Sequence, residues 1–149
     1  IVNCCLKVRG VKIMSTVNAI HHINFVVREL APQVEYLRAL LQCEPIIEDL
    51  PKRYVKSARF LLSGVWIVLV QPTSSKGEVA QILAERGEGL FLLSLSVDSL
   101  EDSIEKLSQQ GLYSDNKGKR QGLDNLSVQD LDCPKALGPV LQLCQLTLK

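Results

Sequence analysis

The 149-residue chain predicts an α+β fold: two tandem β-α-β-β-β modules with a cleft between them. Three observations predict it. Residues 22–37 (HINFVVRELAPQVEYL) align without a gap on residues 92–107 (LLSLSVDSLEDSIEKL), with apolar matches at Ile23/Leu93, Phe25/Leu95, Val27/Val97, Leu30/Leu100, Val34/Ile104 and Leu37/Leu107. The stretch Gly64-Val-Trp-Ile-Val-Leu-Val-Gln71 is echoed by Gly138-Pro-Val-Leu-Gln-Leu-Cys-Gln145. Each copy is also too short to bury a core by itself, so the two halves share one core. A cleft between repeats is a natural ligand site.

The elements follow in order. Residues 20–28 alternate as a strand does. From Leu30 the period lengthens, and Leu30, Val34, Leu37 and Leu41 mark one helical face, with Pro32 tolerated in the first turn. A short strand is expected at 43–48, then Val55–Leu62 and Val65–Gln71 as a hairpin turning at Ser63-Gly64. Between the copies, Gly77 opens a short helix with Val79, Ile82 and Leu83 on its apolar face, and Gly87-Glu88-Gly89 stops it. Module two repeats the order. A strand spans 90–97, and Ser99 with Asp102 forms a capping-box-like start to a helix that Gly111 ends. Strands follow near 112–115, 125–131 and 139–146, and the loop 114–124 is expected to be the most mobile segment. The resulting division is a tail at 1–18, then one domain at 19–147 with module one at 19–72, a linker at 73–89 and module two at 90–147. Met14 is the only methionine and residues 1–13 carry no pattern, so they read as upstream sequence or an unpatterned tail.

Composition narrows the function classes. A net charge of +1, with no basic stripe interleaved with aromatics, argues against a nucleic-acid partner. Lys117-Gly118-Lys119-Arg120 reads as a solvated loop. Cys4, Cys5, Cys43, Cys133 and Cys144 show no zinc-type spacing, and Cys43 and Cys144 read as small buried hydrophobes. No apolar run approaches a membrane span or a signal peptide, so a reducing cytoplasm is the expected compartment.

The tandem modules, the strand opening His21-His22-Ile23 and the turn Gly87-Glu88-Gly89-Leu90 before the second copy together resemble the vicinal oxygen chelate superfamily. That superfamily includes glyoxalase I, methylmalonyl-CoA epimerase, extradiol dioxygenases, fosfomycin-resistance transferases and bleomycin-resistance proteins. The resemblance covers residues 19–147 and implies a glyoxalase-like fold, in which the modules form a shared, partly open β-barrel. It also implies a homodimer. The superfamily's metal enzymes place one ligand on the first and one on the last strand of each module. Those positions fall here on His22, Val68, Leu92 and Gln142. Val68 and Leu92 carry no donor atom, so the resemblance comes without the usual metal floor. Gln71 is no substitute for Val68, because three residues along a strand it points to the other face.

The expected cleft-facing, ligand-binding set is His22, Asn24, Arg59, Trp66, Val68, Val70, Leu92, Ser94, Gln142 and Cys144. Its strand positions are mostly neutral, which suits a small, partly apolar organic molecule. His22 is read as a hydrogen-bonded pocket histidine, and His21, by strand alternation, as a surface or subunit-contact residue. Arg59 would grip a carboxylate or phosphate if it faces the cleft; its alternative is an outward, solvated charge. Trp66 and Phe60 read as core. Glu48 and Asp49 read as a solvated turn, and Ser94 and Ser96 lack an evident base. The reading is a metal-free binding protein with no cofactor, no nucleic-acid partner and no membrane partner. Its alternative is a glyoxalase- or epimerase-like lyase or isomerase. There His22 is catalytic, working with Gln142 as acid/base or as a weak site for a divalent metal.

Overall fold

The computed structural model describes residues 16–147; Cys4, Cys5, Met14 and the tail up to residue 15 lie outside them. Module one comprises β1 (Val17–Val26), α1 (Leu30–Leu41), β2 (Ile46–Leu50), β3 (Val55–Leu62) and β4 (Val65–Pro72). A linking helix, α2 (Glu78–Arg86), follows. Module two comprises β5 (Gly89–Val97), α3 (Leu100–Ser108), β6 (Arg120–Gln121), β7 (Leu126–Asp130) and β8 (Val140–Leu146). No helix among these residues is long and apolar enough to cross a membrane.

The eight strands form one curled sheet in the order β2-β3-β4-β1-β5-β8-β7-β6. Read outward from its centre, each half has the same pattern. β1 runs parallel to β4 and β5 parallel to β8, while the outer pairs are antiparallel. The repeat in the sequence is thus a repeat in topology, and β1 joins antiparallel β5 to fuse the halves. Ser63 and Gly64 both take positive φ (47° and 84°), the twist that a two-residue hairpin requires.

Helices α1 and α3 cover one face of the sheet. Val27, Leu30, Val34, Ala58, Phe60 and Leu69 form the core under α1. Val97, Leu100 and Leu143, with Ile104 and Leu107 against them, form its counterpart under α3. Gln71 and Gln145, the last matched residues of the repeat, turn to this face. Each accepts a hydrogen bond from the first helical N–H of its module, Leu30 at 2.7 Å and Leu100 at 2.8 Å. The Ser99 hydroxyl adds a second cap to α3 by accepting from the Asp102 N–H at 3.2 Å. The opposite, concave face carries Val26, Val55, Val68, Val70 and Phe91, against which α2 lays Val79, Ile82 and Leu83. That face builds the site.

Four expectations need correction. β1 starts at Val17, inside the span read as tail, because Val17 and Ala19 already pair with Val97 and Ser96. The second strand lies at Ile46–Leu50, not 43–48, so Glu48 and Asp49 are strand residues paired with Ser57 and Lys56, not turn residues. Residues 112–115 contribute only an isolated bridge, Ser114 to Leu131. The matching strand is β6, Arg120–Gln121, inside the segment read as a mobile loop, and it pairs with Val128 and Ser127. Tertiary pairing there overrides a local composition of Gly, Lys and Asp.

Candidate functional site

A cavity of about 720 Å³ opens on the concave face, with walls from both modules and from α2. His22, Asn24, Arg59, Trp66, Val68, Val70, Leu92 and Gln142 all line it, so eight of the ten expected positions meet around one space. Ser94 and Cys144 do not; both are fully buried behind the lining. The Ser94 hydroxyl donates to Gln142 Oε1 at 3.0 Å from there. Burial pushes the Cys144 thiol up, against a smaller opposing pull from the Ser94 hydroxyl, so it stays protonated at neutral pH.

His21 also lines the cavity, against the alternation argument. The reason is a β-bulge. Ile20 pairs with Leu95 and His22 with the adjacent Ser94, so His21 is an extra residue on β1 and the alternation resets across it. The two imidazoles meet edge to face, with their Nδ1 atoms 2.8 Å apart, one donating and the other accepting. Burial lowers the pKa of His22 to about 4, and repulsion from His21 and Arg59 adds to the effect. His21 is also lowered by burial, opposed by Asp124. Both rings are therefore neutral at pH 7.

Arg59 faces the cleft. Its guanidinium donates to Glu48 Oε1 on β2 and to Asp124 Oδ2 on the turn before β7, both at 2.5 Å. It also stacks over Trp66, 4.9 Å from the ring centroid. Burial would weaken its hold on the proton, but the bonds to Asp124 and Glu48 outweigh this and raise its pKa above the ordinary value. Phe60 and Trp66 part company: Phe60 is fully buried under α1, whereas Trp66 is cavity wall.

On the module-two side, Gln142 Nε2 donates to Asp130 Oδ1 at 2.8 Å, and Arg120 Nη2 donates to Asp130 Oδ2 at 2.9 Å. Asp130 is only 6% exposed, so this pair gives a buried carboxylate its required partners. Asp124, Asp130 and Arg120 were not among the expected site residues. The one available signal was Asp130 itself, a carboxylate in step with the apolar Leu126 and Val128 of its strand. The lining is also less neutral than its strands suggest. Seven basic and four acidic residues border it, and Lys52, Arg53, Lys76 and Lys117 enter from connections between strands and helices.

The superfamily's divalent metal does not fit this floor. Val68 and Leu92 line it without donor atoms, and both ends of the Gln142 amide are engaged. Elsewhere, His21, His22 and Cys144 place potential ligand atoms within 4.8 Å of one another. There the two ring nitrogens satisfy each other and the thiol is held protonated.

The family model for the glyoxalase/bleomycin resistance protein/dioxygenase superfamily matches residues 21–128. The uncharacterized protein YqjC of Bacillus subtilis (strain 168) is 22% identical over 98 residues, 66% of this chain and 70% of that protein. Among solved structures, hypothetical protein BH1468 from Bacillus halodurans C-125 superposes with a TM-score of 0.76 at 24% identity, covering 87% of this chain and 95% of that one. Methylmalonyl-CoA epimerase from Mycobacterium tuberculosis superposes with a TM-score of 0.77 at 22% identity, covering 94% and 95%. These two likenesses establish the common fold.

Proposed function

The chain belongs to the glyoxalase/bleomycin resistance protein/dioxygenase superfamily, and from that premise we propose that it binds a small, partly apolar organic molecule in the cleft between its modules, with no metal on the cleft floor. The observation that carries this reading is the floor itself. Of its four positions, Val68 and Leu92 offer only hydrocarbon and Gln142 is held by Ser94 and Asp130, leaving His22 alone. Catalytic zinc sites take three protein donors, and magnesium and calcium sites are built on carboxylate and carbonyl oxygens, so one neutral imidazole meets neither requirement. What remains is a concave apolar wall of Val68, Val70, Phe91 and Leu92 with a few placed polar groups, which is how small-molecule sites are generally built.

Metal analysis of protein purified without chelator, then calorimetric titration with Ni²⁺, Zn²⁺, Mn²⁺ and Fe²⁺, tests the metal half of the reading. The expected result is no stoichiometric metal and no saturable heat. Affinity-selection mass spectrometry against a library of neutral and charged small molecules tests the binding half. A library without a single cleft-dependent hit would sink it.

A second reading is favoured by the state of His22. A neutral imidazole in the cavity wall, oriented by His21, is the form a general base takes before reaction. On this reading the protein is an isomerase or lyase acting next to a carbonyl. A tightly held metal abolished by His22→Ala, or turnover lost in that variant with folding intact, would favour it.

A further inference from the structure

Among the described residues, four buried side-chain polar atoms have no hydrogen-bond partner: Asn24 Oδ1, Ser57 Oγ, Arg59 Nε and Arg120 Nη1. All four residues line the same cavity. Buried polar groups in folded proteins are overwhelmingly paired, so unpaired ones gathered around one space mark where an incoming molecule supplies the partners. Two of these atoms are guanidinium nitrogens, on Arg59 from module one and on Arg120 from module two. They call for an acceptor, and the basic excess around the cavity favours a negatively charged one.

The two carboxylates already on Arg59 differ in how they are held. Glu48 sits in β2, fixed by pairing with β3. Asp124 sits on a turn at φ 53°, and its side chain is 64% exposed, whereas that of Arg59 is 11% exposed. Asp124 therefore returns to water when it leaves Arg59, while Arg59 stays desolvated and needs a replacement.

We propose that the ligand carries a carboxylate, and that this carboxylate takes the place of Asp124 on Arg59 while Arg120, also in the cavity lining, adds its positive charge from module two. The inference rests on the reading of the cleft as a small-molecule site and names the ligand's chemical class. Asp124 is an internal stand-in with the planar oxygens and charge that a guanidinium prefers. Exchanging one carboxylate for another conserves the charge beside Arg59, so the step needs no proton. Trp66 keeps the guanidinium plane in place, and the apolar wall takes the rest of the ligand.

Trp66 is the only tryptophan, so its fluorescence reports directly on the surroundings of Arg59. Butanoate, hexanoate and octanoate are titrated into the full chain beside their uncharged amides, with saturation-transfer NMR on each probe as a second readout. The same titrations are run on Asp124→Asn, which keeps the turn because Asn tolerates positive φ as Asp does. The best-fitting acid is expected to bind at least about ten-fold tighter than its amide, the usual worth of a charged hydrogen bond. Asp124→Asn is expected to tighten the acid further, by about five-fold, and to leave the amide unchanged. Equal binding of acid and amide overturns the carboxylate but leaves the small-molecule cleft standing. An acid affinity indifferent to Asp124→Asn overturns the exchange. Silence from both series overturns the carboxylate class, and the broader reading then stands or falls on the library screen, which uses none of these probes.

Discussion

Gln71 accepts a hydrogen bond from the Leu30 N–H at 2.7 Å, tying the end of β4 to the first turn of α1 across the sheet. Gln145 does the same for Leu100 and α3 at 2.8 Å. Neither helix start is left to water alone, and α1 has no side-chain cap from its own N-cap residue, Glu29. The glutamine that strand alternation turned away from the metal floor is a structural clasp, present once in each module.

Replacing Gln71 with Leu is therefore expected to lower stability by about 1–2 kcal/mol, the range of a lost cap with a stranded N–H. Gln145→Leu should cost somewhat less, because Ser99 still caps α3. Urea denaturation of both single variants and the double variant checks this. The two sites share no partner, so their effects should add.

The neutral state of His22 makes stability depend on pH with a definite sign. Unfolded His22 titrates near 6.5 and folded His22 near 4, so between those values the unfolded chain binds a proton that the folded chain does not. The contribution is fully present above about pH 6.5 and drains away as the pH falls toward 4, by up to about 3 kcal/mol. His21, lowered by burial as well, acts in the same direction. Urea midpoints measured from pH 7.5 to 4.5 should fall steadily in the wild type and less steeply in His22→Asn.

A metal floor can be built back. Val68→Glu with Leu92→His supplies two donors to join His22. Val68 is only 9% exposed, so without metal the double variant is expected to lose about 2–4 kcal/mol from burying a carboxylate. Zn²⁺ should restore its Tm and leave that of the wild type unmoved. A thermal scan with and without Zn²⁺ gives the answer.

Gln142→Glu, the superfamily's usual residue, should behave in the opposite sense to His22. Its new carboxylate would face Asp130, whose Oδ1 now accepts from Gln142 at 2.8 Å. One of the pair is then forced to hold a proton that the unfolded chain releases. The expected loss is about 2–3 kcal/mol at pH 7, shrinking as the pH falls toward 5, because the stable protonated form exists only on the acid side. The same denaturation series run on this variant decides it.

Most of the fold was legible because it is written in local patterns. The mirrored sheet follows from the gapless match of 22–37 with 92–107, and the faces of α1 and α3 follow from Leu30, Val34, Ile104 and Leu107. The floor residues His22, Val68, Leu92 and Gln142 were legible by carrying over the ligand positions of the superfamily that the sequence resembles. The rest depends on chain segments meeting at a distance. A single extra residue in β1 sends His21 into the cavity, and no alternation rule can see a bulge. Arg120 looked like loop charge because its reason for order, Asp130, is set by the pairing of β6 with β7. Asp124 had no signal at all; its role exists only because Arg59 reaches it from the other module.

The fusion of the halves along β1 and β5 has a mechanical consequence. Since Arg59 and Trp66 stand on one side of that seam and Arg120 and Gln142 on the other, an occupant of the cavity is a cross-brace. Pulling the halves apart must first evict it, so the energy of holding the occupant is added to the energy of holding the chain together. A molecule held in the cavity would therefore register as a rise in the force or heat needed to separate the two halves.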